Sequence, residues 1–269
     1  MLMSNVLVPN AHEHLDNFKL FLETKTPFSF VRFSDGEIEI LRNRYLEIGG
    51  GKTVFRGREF KNSFPDFDAK KFDPRIYQNI RKDLLSSALF RDKKFYKGIP
   101  TSHNDAIKDR EFLLRLNGGY ELNMTFSDLF LNSNYLRYRK EIVPLFERFE
   151  KIFVIANYRA KLCGILQKAH HIHIPDNFFA TYDNVIKEVY EQIENIPNDS
   201  LVLSSASSLS NILGHRLFMK NSSITFLDIG TSINDLLSLS HNTRAYHSEE
   251  KSFFQKIFYR NKKGYEIKW

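Results

Sequence analysis

The stretch DSLVLSSAS (199–207), SLSNILGHRLFMKN (208–221) and SITFLDIG (223–230) decides the fold of this chain. Its outer pieces are short apolar runs that end in small or polar residues, and the piece between them has the length and spacing of a helix. The same alternation is already running upstream. KIFVIANY (151–158) reads as a strand, RAKLCGILQKA (159–169) as a helix spaced by Leu162, Ile165 and Leu166, and HHIHIP (170–175) as a strand ended by Pro175. TYDNVIKEVYEQIENI (181–196) sets Val185, Ile186, Val189, Ile193 and Ile196 on one helical stripe, and SINDLLSL (232–239) reads as a further helix. Strands alternating with helices through short links predict right-handed βαβ units. The fold class is therefore α/β, a Rossmann-like and mostly parallel sheet with helices on both faces.

In the first half, one unit is clear: a helix around His12 to Thr24, the strand PFSFVRF (27–33), the turn SDGE (34–37) and a helix from Ile38 toward Arg44. Beyond it, Gly49 to Gly51, Arg56 to Arg58 and Phe60 to Pro74 read as loop, a stretch suited to a mobile flap. FDPRIYQNIRKDLLSSAL (72–89) predicts a helix, KKFYKGIPTS (93–102) a strand, and SNYLRYRKEIVPLFERF (133–149) a helix broken near Pro144. No stretch has the composition of an interdomain linker, so residues 1–269 are expected to form one domain, with a basic, aromatic segment at 252–269.

The chain has 39 Lys and Arg against 32 Asp and Glu, a formal charge of +7 that favours phosphates, nucleic acid or an anionic membrane face. A single cysteine, Cys163, rules out an intrachain disulfide, and no Cys/His spacing fits structural zinc. No signal peptide and no run of about 20 apolar residues is present, which leads to the expectation of a cytoplasmic protein. The basic, aromatic end suits peripheral attachment to the inner membrane face; the plainer reading, which is preferred, is a terminal helix or strand packing its aromatics on the core with its lysines in water.

The chemistry concentrates where apolar strands end. At Arg32-Phe33-Ser34-Asp35-Gly36-Glu37, two carboxylates spaced around a glycine can turn hard oxygen ligands toward one Mg²⁺ or Mn²⁺, with Arg32 forking onto a diphosphate. The same residues also read as a helix cap, with Ser34 capping and the acids complementing the dipole. Ser204 to Ser208 offers small residues at a helix start, where Ser205 and Ser207 could approach a phosphate. Asp228-Ile229-Gly230 closes another strand, and Asp228 or Asp235 is the candidate catalytic carboxylate toward an acceptor hydroxyl. His171 and His173 share a strand face without a third ligand at motif spacing, and His103 is a possible site residue. No GxGxxG, GxxxxGK[ST] or G-x-S-x-G pattern occurs, which argues against dehydrogenase, P-loop and serine-hydrolase classes.

Taken in order, these motifs resemble those of a bacterial glycosyltransferase family with the GT-D fold, active on serine-rich adhesins and surface glycans. RFSDGE (32–37) differs from the family's RFGDGE only at Ser34; PDNFFATYD (175–183), with Asn177, looks like its P-x-x-NAF-x-x-Y-D segment; SSASSLSNIL (204–213) looks like its turn before a helix; and Asp228-Ile229-Gly230-Thr231 looks like its DIGH. After that point the chain departs, with TSINDLLSL (231–239) in place of an acidic stretch. The resemblance implies that Asp35 and Glu37 bind a divalent cation and the diphosphate of a UDP-sugar, that Arg32, Ser34, Asn177, Ser205 and Ser207 belong to the donor site, and that the acceptor is a glycan or glycoconjugate. Another Mg²⁺-dependent nucleotide-processing enzyme and a non-enzymatic polyanion-binding module are the alternatives; nucleic acid is not the expected partner.

Overall fold

The computed structural model describes residues 11–49, 51–61, 69–101, 105–131 and 134–239. The segment 252–269, His103 and the middle of the expected flap lie outside the described residues.

Seven strands form one wholly parallel sheet: β1 (Ser29–Arg32), β6 (Phe95–Ile99), β7 (Met124–Phe126), β8 (Ile152–Asn157), β9 (His170–Ile174), β10 (Leu201–Ser205) and β11 (Thr225–Asp228). Their order is β7-β6-β1-β11-β10-β8-β9. The helices are α1 (Ala11–Glu23), α2 (Asp35–Leu41), α3 (Gln78–Leu89), α4 (Ala106–Leu116), the short α5 (Tyr135–Arg137), α6 (Tyr182–Ile193) and α7 (Ser208–Lys220).

Side chains alternate across a strand, so each strand feeds two cores. Val31, Phe33, Val202 and Phe226 pack on the side of α3, α6 and α7. Phe28, Phe30, Leu201, Leu203 and Leu227 enter the opposite core, with Leu15, Phe18 and Leu22 of α1. Runs that are apolar at every position suit strands covered on both faces, and this is what made the parallel sheet readable.

A second, antiparallel sheet was not foreseen. The region expected to be loop, together with the residues just before it, contains β2 (Leu46–Gly49), β3 (Lys52–Phe55), β4 (Arg58–Lys61) and β5 (Lys70–Phe72), in the order β4-β3-β2-β5. Arg56 and Gly57, both at positive φ (53° and 71°), form the two-residue turn between β3 and β4. Such turns usually announce themselves as Asn-Gly or Asp-Gly, and an arginine in the first position hid this one. Two expected helices are also corrected. Residues 159–169 hold only a 3₁₀ turn at Gly164–Leu166, and the expected helix at 232–239 is replaced by a 3₁₀ turn at Gly230–Ile233 followed by further turns. Glycine at positive φ interrupts helical backbone in both places: Gly164, at 57°, falls in the middle of the first stretch, and Gly230, at 47°, lies just before the second. The stretch around Pro144 is irregular as expected, passing from a π-helical turn at Tyr138–Ile142 to a 3₁₀ turn at Val143–Arg148. Among the described residues no helix is long and apolar enough to cross a membrane.

Candidate functional site

Strand order reverses around the middle of the parallel sheet: from β1 the chain moves out to β6 and β7, whereas from β9 it returns through β10 to β11, beside β1. In open α/β sheets ligands bind outside the carboxyl ends of strands at such a reversal. The carboxyl ends of β1, β11 and β10 carry Arg32, Asp228 and Ser205.

Arg32 and Asp228 are built into each other. The Arg32 backbone N–H donates to Asp228 Oδ2 at 3.2 Å, and its Nε lies 3.3 Å from Oδ1, an ionic contact without hydrogen-bond alignment. Arg32 Nη1 donates to the Ser127 carbonyl beyond β7 at 3.3 Å. On its far side the guanidinium lies over Gly230, where a built Cβ would come within 1.8 Å of Nη2. A side chain at 230 would displace the guanidinium, and it would do so at a φ of 47° that favours glycine. Asp228 is 3% exposed, and burial, with the nearby Glu37 carboxylate adding to it, pushes its carboxyl up to about 6 against the opposing pull of Arg32.

The turn that follows β1 does part of what the cap reading expected. Ser34 is the N-cap of α2, and its backbone N–H donates to Glu37 Oε2 at 3.1 Å. Glu37, 7% exposed, also accepts from Ser207 Oγ at 3.4 Å, so both of its oxygens are engaged. Asp35 differs. Its Oδ1 accepts from the Gly36 N–H at 2.9 Å and from Ser34 Oγ at 3.3 Å, while Oδ2 accepts nothing among the described residues. A carboxylate oxygen of a half-exposed residue at a sheet edge suits a hard cation that keeps most of its shell as water and phosphate oxygen. The described residues hold no group of three or more His, Cys, Asp or Glu side chains arranged for a metal, so a cation here would depend on the ligand's own oxygens.

The serines divide by role. Ser204 is buried and its Oγ shares a 2.8 Å hydrogen bond with Ser210 Oγ, which also accepts from the Ala206 N–H at 3.1 Å. Ser205 is the half-buried last residue of β10. Ser207 caps α7 with φ 50° and ψ −141°, a conformation that costs a non-glycine residue about 1–3 kcal/mol and persists only when its surroundings enforce it. Here the enforcing contacts are Glu37 on one side and Lys70 on the other, whose Nζ donates to Ser207 Oγ at 3.1 Å.

Asn177 reaches the same edge by a different task. At φ 43° and ψ 52°, its N–H donates to the Ala69 carbonyl at 3.1 Å and its Oδ1 accepts from the Lys71 N–H at 2.8 Å. Its side-chain oxygen therefore fastens β5 to the loop after β9. Asp235 is not brought into the Arg32–Asp35–Glu37–Asp228 network: its carboxylate pairs with Arg139 on the helical segment before β8. His171 and His173 face each other at 4.3 Å between ring centroids with no third ligand among the described residues, and burial lowers the His171 imidazole. Lys70 was missed by the sequence reading. No motif surrounds it, and only the pairing of β5 with β2 brings it to the site.

No protein-family model matches the chain, and no curated protein does. Solved structures do. The chain is similar to a glycosyltransferase (DUF1792) from Streptococcus sanguinis, with a TM-score of 0.54 at 16% identity over 98% of this chain and 95% of that one. It is also similar to a domain of unknown function 1792 described as having a distinct glycosyltransferase fold, with a TM-score of 0.51 at 16% identity over 95% and 90% of the two chains. A selenomethionine-substituted domain of the same designation gives 0.54 at 16% over 95% and 90%. The likeness establishes the fold, along nearly its whole length.

Proposed function

We propose that the protein is a glycosyltransferase that takes a sugar from a nucleoside-diphosphate donor, a UDP-sugar first, and passes it to a hydroxyl of a glycan or glycoconjugate. The observation that carries this reading is the convergence of Arg32, Asp35, Glu37 and Ser207 on the carboxyl edge of the parallel sheet, in a fold shared with a glycosyltransferase.

In the reaction the bond between the anomeric carbon and the diphosphate oxygen breaks, its electron pair leaves with the diphosphate, and an acceptor oxygen bonds to the carbon while its proton passes to solvent water or to the departing diphosphate. The demand on the protein is to stabilise charge on the leaving diphosphate. Asp35 offers the free oxygen for Mg²⁺ or Mn²⁺, and Glu37 braces the turn that presents it. When bound, such a cation neutralises the departing diphosphate. Arg32 adds a fixed guanidinium, held by Asp228, Ser127 and the bare Cα of Gly230. Asp228, sealed from water, orients Arg32 rather than meeting an acceptor. Ser34 and Ser205 line the same edge, and Asn177 shapes it by holding β5.

The test is calorimetric binding of UDP, GDP, CMP and their sugar conjugates, with and without Mn²⁺, to the wild type and to the double variant Asp35→Ala, Glu37→Ala. Cation-dependent binding of one nucleotide, lost in the variant, supports the reading and names the donor class. Transfer to a glycan, rather than donor hydrolysis alone, separates it from another nucleotide-processing enzyme. If none binds, the turn is only a cap and the proposal fails.

A further inference from the structure

The small antiparallel sheet reaches the site through Lys70. Lys70 and Phe72 lie two residues apart on β5 and so share a face, and Phe72 is fully buried, 6.4 Å from the Phe179 ring. Lys71, on the other face, turns outward to Glu47, at 3.6 Å. The face carrying Lys70 is therefore directed at the parallel sheet, and its ammonium ends on Ser207, itself bonded to Glu37. This strand is fixed from both sides of Lys70: the Asn177 N–H holds the Ala69 carbonyl, and Asn177 Oδ1 holds the Lys71 N–H.

The chemistry around that ammonium is unusual for a structural lysine. Among the described residues no carboxylate lies within ion-pair distance of it, and its hydrogen-bond partner is a neutral hydroxyl on a strained residue. An ammonium has three donors, and one hydrogen bond leaves the others to be met. The site itself sets three carboxylates (Asp35, Glu37 and Asp228) against two cations (Arg32 and Lys70). A diphosphate entering such a site is repelled unless positive charge meets it directly, and a cation on Asp35 supplies that charge from one side only.

Resting on the donor reading above, we infer that Lys70 is a direct ligand of the donor's diphosphate, delivered by the antiparallel sheet and parked on Ser207 until the nucleotide arrives. The sheet is then a device for bringing one ammonium over the carboxyl edge of a fold that supplies the remaining groups.

The experiment is calorimetric binding of UDP, GDP, CDP and ADP and of the matching monophosphates, with Mn²⁺, to the wild type and to Lys70→Met, Lys70→Gln and Lys70→Arg, each first checked for an unchanged thermal melt. Losing a charge-assisted contact is expected to weaken the preferred diphosphate at least about tenfold in Lys70→Met and Lys70→Gln, while the monophosphate changes less than about threefold and Lys70→Arg recovers most of the affinity. Wild-type diphosphate affinity in Lys70→Met or Lys70→Gln, or equal losses for diphosphate and monophosphate, overturns the inference and leaves the donor reading standing. Failure of the wild type to bind any of the diphosphates removes both.

Discussion

Asp228 shows how one side chain changes meaning once its neighbours are known. At a strand end it reads as a base for an acceptor, but the structure seals it under Arg32, and burial raises its carboxyl from 3.8 to about 6. The consequence for stability has a definite sign. The folded state holds the proton more tightly than the unfolded state, so protonation of Asp228 contributes stability below about pH 4 that disappears as the pH rises through about 6. Denaturant unfolding of wild type and Asp228→Asn at several pH values is expected to show the wild type gaining on the variant as the pH falls from 6 to 4, with a constant difference above 7. A pH-independent difference would mean that Asp228 is not held in a site that resists its charge. Lys97 is a buried charge of the opposite sign. Fully covered on β6, its ammonium is pushed down by burial and compensated by the Ala88 carbonyl, Asn117 and Glu121, well inside the sheet rather than at its edge.

Among the elements, α2 joins the site to the rest of the molecule. Its first turn presents Asp35 and Glu37; its later residues carry Glu39, fully buried between Arg42 at 3.7 Å and Arg44 at 3.5 Å. Asp109 of α4, also fully buried, takes both Arg42 and Arg56, and Arg56 belongs to the β3–β4 turn. One ionic network thus ties α2, α4 and the antiparallel sheet together. Removing one partner strands the others in a dry place, which is costlier than never having built the pair. Asp109→Ala is expected to lower unfolding free energy by about 3–5 kcal/mol in urea titration; a loss below about 1 kcal/mol would show that the arginines find water instead. None of this was legible in advance. Arg42, Arg56 and Asp109 are spread along the chain in segments that read as helix end, loop and unassigned sequence.

For the molecule as a whole, the joint that matters is α7 against the two central strands. A Cβ on Gly214 would stand 2.7 Å from both the Phe226 ring and Val31 Cγ1, and both of those side chains are fully buried. Alanine gains about 1 kcal/mol of helix propensity over glycine, whereas overpacking a closed core costs about 1–3 kcal/mol. With no free side of the joint to give way, the second effect is expected to win. Gly214→Ala should unfold at lower urea concentration with an unchanged slope; a more stable variant would show that α7 can lift off the sheet.

The sequence by itself determined the parallel α/β sheet, because strands buried on both faces must be apolar at successive positions and the helices between them must carry a stripe. It also determined where to look, since the RFSDGE and DIG segments end such strands and strand ends meet at one edge. Only the tertiary structure decided which side chains share the site. It put Lys70 beside Ser207, turned Asn177 into a fastener for β5, closed Asp228 under Arg32 and paired Asp235 with Arg139. The physical reason is range: hydrophobic periodicity is written within a dozen residues, whereas these polar contacts are made between distant segments, with no periodicity to record them.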